Sequence, residues 1–436
     1  MRRTLVPVVV VGLFALVSVG GPAGADGRPR IAPVSTMMQR IVNLVAKDRV
    51  PPPVASRLYA YTAIAMARAT LADDRAASRF RALLEDFPRL ERPGRRTDAG
   101  VAAVVAGASA ARMLMPVSGS RLAIAEVRDD LLARYQERIP AAQFRASVDW
   151  GLQVSRAVRR WSDADGFTAA QTNAPSYAPP TGPGRWIPTP PAYQPAIQPY
   201  WGTLRRFQSH RSCTVPAPIE YSTDRGSAYA REVRKVLDRS QHLSDEDKRI
   251  ARFWADDRGR TGTPAGHWVA ITNLAIRDRH LGPTDAATLQ AAVTSAVADS
   301  FIVDWQAKFR WNTARPITVI NDWKLARDWS SYLTTPAFPE YPSGHATISW
   351  AAAEVLEARI GSFSFTDKGL NAGGDVRAGF GIRPRHFDTF RDAASEATAS
   401  RFLGGIHFDA TQRVSAGIGR CLAKDSVALA RVQGHR

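Results

Sequence analysis

Cysteine is nearly absent: two residues, Cys213 and Cys421, occur among 436. A disulfide-dense scaffold is thereby excluded, and so is a cysteine-based zinc site, since no close Cys/His group has ligand spacing. The pair suits an oxidising compartment and leaves two readings open: one disulfide joining the middle of the chain to its C-terminal region, or two buried free thiols. Lysine is also scarce, at positions 47, 235, 248, 308, 324, 368 and 424, so the formal charge of +18 is carried almost wholly by arginine. Those arginines are scattered, with no basic tail and no basic stripe interleaved with aromatics, so no nucleic-acid partner is expected. A field of this sign attracts anionic substrates or polyanions, although a coding preference for arginine explains the composition as well. Strand-like alternation is rare, nothing repeats at a period of roughly 20 to 50 residues, and no glycine loop sits in a strand–turn–helix setting to hold a nucleotide. Beyond the N-terminus no stretch reads as long and apolar enough to span a bilayer, which takes roughly 20 residues.

What is present begins with an export signature. Arg2 and Arg3 precede an apolar run from Leu5 to Val19, and Ala23-Gly24-Ala25 precede Asp26. This is the order of charge, hydrophobic core and small-residue cleavage site of a secretory signal, and the apolar run is too short for a membrane anchor. Residues 1–25 are therefore read as a removed signal peptide, with a secreted or periplasmic destination. Removal of Arg2 and Arg3 takes the charge from +18 to +16. About 410 residues remain, enough for a substantial core.

Residues 26–174 read as a helical region, with apolar residues at three- and four-residue spacing over Ser56 to Ala72, Val101 to Met115, Arg121 to Gln136 and Ala142 to Trp161. The alanine-rich stretch Gly100 to Ala111 suits a tight helix interface. Residues 175–226 are rich in proline and aromatics and cannot propagate a helix. They read as an extended connector whose rings pack across the helices, with Trp186 or Trp201 as alternative ligand-binding residues. Residues 227–436 return to helical spacing over Ser227 to Arg239, Asp245 to Trp254, Asp285 to Arg310, His345 to Ile360 and Ala393 to Leu403. The expected architecture is all-α.

Three short segments of this last region together assemble the donors for one oxyanion. Lys308 and Arg315 are seven residues apart, so on one helix they would share a face and grip a small anion from points about 10 Å apart, with Pro316 ending that helix. Pro342-Ser343-Gly344-His345 precedes an apolar-periodic run, which puts Ser343 near an N-cap, leaves first-turn amides free for an anion, and sets His345 beside it for acid–base work. Ser400-Arg401 ends a helix, and Gly404-Gly405 permits the turn that brings His407 back toward Arg401. A neutral imidazole at 407 could ligate vanadium or attack phosphorus. The plainer readings are a solvated basic pair, a cap-region surface histidine and a hydrogen-bonded core histidine.

In order and spacing these three segments resemble the signature segments of the superfamily that joins vanadium-dependent haloperoxidases and type 2 phosphatidic acid phosphatases, in its soluble bacterial haloperoxidase-like branch. The resemblance covers roughly Phe253 to Asp409 and extends weakly upstream to Trp201-Gly202. It implies a helical bundle in which Lys308, Arg315, Ser343, Gly344 and Arg401 hold the oxyanion oxygens, His345 is the acid–base residue, and His407 is the vanadium ligand or the phosphatase nucleophile. Within Phe253-Trp254-Ala255-Asp256-Asp257 it implies one carboxylate that steadies the cage arginines, with Asp257 preferred to Asp256. His267-Trp268 fits the bacterial pattern without an assigned role. An Asp is frequent four residues after the last histidine, where this chain has Thr411, with Asp409 nearby instead.

Vanadate and phosphate share shape and charge, so the cage alone does not separate the two chemistries. Trp305 and Phe338 match positions where chloroperoxidases carry aromatics beside the halide, and a weakly hydrated halide is better held against aromatic edges than in water. The reading is therefore a vanadate-dependent haloperoxidase that oxidises bromide or chloride with hydrogen peroxide and serves a small organic acceptor. The alternatives are an acid phosphatase that hydrolyses a phosphate ester through His407, and a non-catalytic oxyanion-binding protein.

Overall fold

The computed structural model describes residues 31–91, 93, 95–209, 213–369 and 382–432. The segment read as a signal peptide lies outside these. Among the described residues the chain is all-α apart from one short hairpin. The helices are α1 (Pro33–Lys47), α2 (Pro52–Thr70), α3 (Asp74–Ala82), α4 (Ala99–Leu114), α5 (Ser118–Gln136), α6 (Ala141–Asp163), α7 (Phe167–Asn173), α8 (Ala228–Gln241), α9 (Asp245–Phe253), α10 (Thr263–Asp278), α11 (Pro283–Trp311), α12 (Pro316–Asp322), α13 (Gly344–Ile360), α14 (Phe390–Leu403) and α15 (Asp409–Ala430). The hairpin strands β1 (Phe365–Asp367) and β2 (Arg385–Phe387) are antiparallel, with Phe365 opposite Phe387.

Local chemistry sets many of the boundaries. Prolines open α1, α2, α10, α11 and α12, where the missing N–H has no intrahelical acceptor in any case. Asp98 caps α4 by accepting from the Val101 amide, and Ser244 and Asp247 form a reciprocal capping box on α9. The small residues of α4 do serve close packing. A Cβ at Gly107 would come within 2.4 Å of Met66 on α2, so glycine is what lets those two helices approach.

One continuous apolar core runs from Val34 to Val432, so the N-terminal and C-terminal helical regions share it. At its centre α11 packs against α2, α10, α13 and α15. This corrects the expectation that no later segment has the length and apolarity to span a bilayer, for α11 has both over its 29 residues. Its apolar window is buried within the protein, where a helix at the core centre must be apolar on every side.

The connector is pinned rather than laid over the surface. Trp186 and Trp201 are fully buried. The Trp186 amide donates to the Asn312 carbonyl at 2.8 Å, Ile197 donates to Ala337 O at 2.9 Å, and Trp305 Nε1 donates to Ile197 O at 3.0 Å. Asp299, buried in α11, accepts the Phe207 and Gln208 amides at 2.6 and 2.9 Å. Cys213 and Cys421 form a disulfide that ties this connector to α15, deciding between the two readings of the pair.

Candidate active site

Each of the three segments ends a helix or begins one. Lys308 lies in the last turn of α11, which stops at Trp311 because Asn312 adopts a left-handed conformation at φ 49°. Arg315 is the extended N-cap residue of α12, and Pro316 opens that helix. The expectation that Lys308 and Arg315 share one helix is thus corrected: α11 ends at the left-handed Asn312, α12 begins after the extended Arg315, and the two side chains reach the site from two elements. Ser343 is the N-cap of α13 with His345 in its first turn, and Arg401 lies in the last turn of α14. Gly405 at φ 73° then turns the chain to His407. Gly404 meets Leu333 so closely that an added Cβ would lie at 2.6 Å.

These turns bring the predicted cage residues together in the interior. Lys308, Arg315, Ser343, Arg401 and His407 are all buried. Lys308 Nζ donates to the carbonyls of Pro339, at 2.9 Å, Glu340, at 3.0 Å, and Pro342. Three carbonyl acceptors match the three N–H bonds of an ammonium, so the lysine acts on the site through its charge and as the clamp of the 339–342 turn. Burial, reinforced by Arg315, pulls its pKa down against the opposing pull of Asp304 and Glu340. Arg315 donates from Nε to Phe338 O at 2.9 Å and from Nη1 to Ile406 O at 2.8 Å and His407 Nε2 at 3.1 Å. Its pKa is lowered to about 9 by burial, and that of Arg401 to about 10 by the same cause, so both remain cations at neutral pH.

The state of His407 follows from its two nitrogens. Nδ1 lies 2.9 Å from Glu340 Oε1, a carboxylate oxygen that accepts, while Nε2 accepts from the Arg315 guanidinium. The ring is therefore the Nδ1–H tautomer with an Nε2 lone pair turned into the cage. Burial, with Arg315, Lys308 and Arg401 nearby, holds its pKa well below the ordinary histidine range. Glu340 also accepts from the Phe408 amide and the Thr411 hydroxyl, each at 3.1 Å. The departure at position 411 is thereby explained. The anchoring carboxylate comes from the turn before α13, and Thr411 supports it, while Asp409 faces Lys235 and Arg413.

His345 keeps a hydrogen bond to the Trp254 backbone, and its Nε2 is buried with no partner. Burial, Arg401 and His267 push its pKa well below the ordinary range, so it too is neutral. The Trp254 carbonyl also accepts from Arg401 Nη2 at 2.7 Å, so one backbone oxygen positions two cage residues. Trp254 in turn stacks on His267 with ring centroids 4.4 Å apart. His267 is held between Asp256, at 2.9 Å, and Asp367, at 2.6 Å. Burial opposes its charge, but the two carboxylates outweigh it and raise its pKa to about 10. Asp257, preferred from the sequence, is exposed and lies 3.9 Å from Arg260. Of the two carboxylates, Asp256 is buried, is paired with His267 and acts more strongly on Arg401.

The residues fit a tetrahedral oxyanion. Arg315 Nη2, Ser343 Oγ and His345 Nε2 are buried polar atoms without protein partners, and their gathering from three segments around one point is what an oxyanion would satisfy. A Cβ on Gly344 would meet only Asp304 Oδ2, at 3.8 Å, so glycine keeps the cradle at the α13 N-terminus open. Trp305 and Phe338 pack together at 4.9 Å between centroids, and the Phe338 ring lies 5.2 Å from Lys308 Nζ and 5.0 Å from the Arg315 guanidinium. Glu340, Asp304 and Asp367 were not singled out from the sequence, and Asp256 was named there only as the second choice to Asp257. The partners of Glu340 and Asp367 are remote in the chain, at His407 and His267, which is why spacing did not mark them.

The family model for the VCPO second helical-bundle domain matches residues 288–434. The vanadium chloroperoxidase of Curvularia inaequalis is 24% identical over 278 residues, which is 49% of this chain and 46% of that protein, so the match spans less than half of that relative. Among solved structures, a bacterial vanadium-dependent iodoperoxidase superposes with TM-score 0.80 at 31% identity, covering 92% of this chain and 97% of that one. A bacterial vanadium-dependent chloroperoxidase in its holo form gives TM-score 0.66 at 17% identity over 88% and 93%, a likeness of fold. With the oxyanion cage and this full-length likeness together, the chain belongs to the vanadium haloperoxidase family.

Proposed function

We propose that this protein is an exported, vanadate-dependent haloperoxidase that oxidises a halide with hydrogen peroxide. Two observations support the reading. His407 is a neutral imidazole fixed by Glu340 at Nδ1, with Nε2 facing Arg315 in the cage, a state that would serve a metal ligand or a phosphatase nucleophile alike. The likeness to a bacterial vanadium-dependent iodoperoxidase over 92% of the chain favours vanadate. His407 would bind vanadium, while Arg315, Arg401, Ser343 and the Gly344 amide would hold the oxygens. Bound vanadate supplies Lewis acidity that activates hydrogen peroxide toward a nucleophilic halide.

The chain's own residues do the rest. Lys308, Arg315 and Arg401 neutralise anionic charge in a site where burial strengthens each interaction. His345, neutral and with Nε2 unpartnered, is placed to hold or pass a proton at that nitrogen. The balance requires one: halide, hydrogen peroxide and one proton give hypohalous acid and water. Trp305 and Phe338 offer aromatic edges to the halide. The export signal read at residues 1–25 is supported by the Cys213–Cys421 disulfide, a bond favoured outside the reducing cytosol.

The sign of vanadate's effect tests the reading. Vanadate added to the metal-free protein, with hydrogen peroxide and iodide, is expected to switch on triiodide formation. Bromide and chloride then rank the halides. If no halide is oxidised, and a phosphomonoester is instead hydrolysed and inhibited by vanadate, the protein is a phosphatase.

A further inference from the structure

Above the cage lies a chamber of about 400 Å³ whose floor includes His345, Arg401 and His407. Hydrogen peroxide and a halide require little of it, at roughly 30 Å³ per water-sized molecule. What remains falls at the lower end of organic ligand sites, about 300 Å³ and upward. Its walls suit such a ligand: Ile197, Phe301, Trp305, Phe338, Ile348 and Ile406 present apolar and aromatic surface around the reacting floor.

The mouth differs in character. Arg49, Arg258 and Arg260 line it, all three exposed, with Asp257 as the accompanying exposed carboxylate. The first two are built into place. Arg258 Nε donates to the Arg49 carbonyl, and Gly259, at φ 84°, leaves room for the Arg49 side chain, whose Cγ would lie 2.9 Å from an added Cβ. Three guanidiniums against one carboxylate leave the rim with excess positive charge. An aromatic interior below a cationic rim matches one ligand shape, a ring carrying an anionic group at one end.

Resting on the haloperoxidase reading above, we propose that this chamber binds the organic acceptor, that it selects a small aromatic carboxylate, and that the ring is halogenated while bound. The step balances: an aromatic C–H, a halide, hydrogen peroxide and one proton give the aryl halide and two waters. The halide is oxidised, the peroxide is reduced, and the ring proton leaves to solvent.

The probes are 4-hydroxybenzoate and its methyl ester, which share the ring and differ in charge. Calorimetry on the full chain, without peroxide or halide, is expected to give saturable binding of the acid and binding of the ester weaker by about tenfold, the scale of one charge-assisted contact. Arg49→Glu and Arg258→Glu are each expected to narrow or invert that ratio. With vanadate, peroxide and iodide, the acid should be iodinated with saturation and with a regioisomer ratio different from that given by free hypoiodite. Equal binding of acid and ester, no binding of either, or a ratio unchanged in both variants overturns the proposal. Triiodide formation without acceptor tests the haloperoxidase reading separately. Its failure leaves the calorimetric comparison to decide whether the chamber is an acid site.

Discussion

Replacing Glu340 by alanine removes the one carboxylate that sets the tautomer of His407. Three hydrogen bonds disappear together: His407 Nδ1 at 2.9 Å, the Phe408 amide at 3.1 Å and the Thr411 hydroxyl at 3.1 Å. Without its Nδ1 acceptor the ring is free to rotate or to move its proton to Nε2, and either change withdraws the lone pair from the cage. Loss of such a partner to a metal-bound histidine typically costs ~10- to 100-fold in affinity, about 1.4 to 2.7 kcal/mol. The fold should survive. The stranded donors cost ~1–3 kcal/mol, set against the ~5–15 kcal/mol of an ordinary domain, and removal of a buried carboxyl whose pKa burial raises to about 7 offsets part of that. The assay is vanadate affinity by calorimetry at neutral pH, with a thermal melt as the folding control.

A second variant separates positioning from bulk. Because Thr411 Oγ1 lies 3.1 Å from Glu340 Oε2, Thr411→Asp in the Glu340→Ala background puts a carboxylate into the vacated space and should recover most of the lost affinity. Glu340→Gln, which keeps one acceptor oxygen, should lose less than Glu340→Ala. A folded Glu340→Ala protein that binds vanadate within about twofold of the unmodified chain would refute the argument, since losing the carboxylate that holds a ligating histidine costs more than that.

Three further outcomes follow from the same geometry. His407→Ala should abolish stable vanadate binding, whereas His345→Ala should largely spare binding and cut turnover by ~10²–10⁴-fold, and equal loss of binding in both would contradict the division of roles. His267 has a folded pKa of about 10 against an ordinary value of 6.5, so its stabilising contribution is complete below pH 6.5 and is lost as pH rises toward 10. The melting temperature should therefore fall more steeply across that range in the unmodified protein than in His267→Gln, and the variant should lose ~3–5 kcal/mol near neutral pH by stranding two buried carboxylates. Reduction of Cys213–Cys421, which closes a loop of 208 residues, should lower stability by ~3–5 kcal/mol in denaturant titration, and no change in the midpoint would contradict it.

The helices were largely legible because their amphipathic spacing is local: the ranges read for α4, α5, α6, α8, α13 and α14 end within a few residues of those observed. The helix α10 was harder. It is buried nearly all round, so no polar face marks its period. The helix break between Lys308 and Arg315 was also hidden, since it depends on Asn312 adopting φ 49°, a choice that the Gly184–Trp186 strip of the connector reinforces by bonding to Asn312 and Ala314. The disulfide could not be chosen from spacing, because two cysteines this far apart meet only once the connector has docked on α15.

Neighbouring residues were enough to mark the cage cations, the two histidines, the helix start at Ser343 and the glycine turn before His407, but not the break between Lys308 and Arg315 or the carboxylates of Glu340 and Asp367. The tertiary structure alone decided the electrical state of these groups. The partner of His407 is 67 residues away at Glu340, and the partners of His267 are 11 and 100 residues away at Asp256 and Asp367. A pKa or a tautomer is set by whatever charge and dielectric surround a group in space, and that surrounding exists only after the helices have packed.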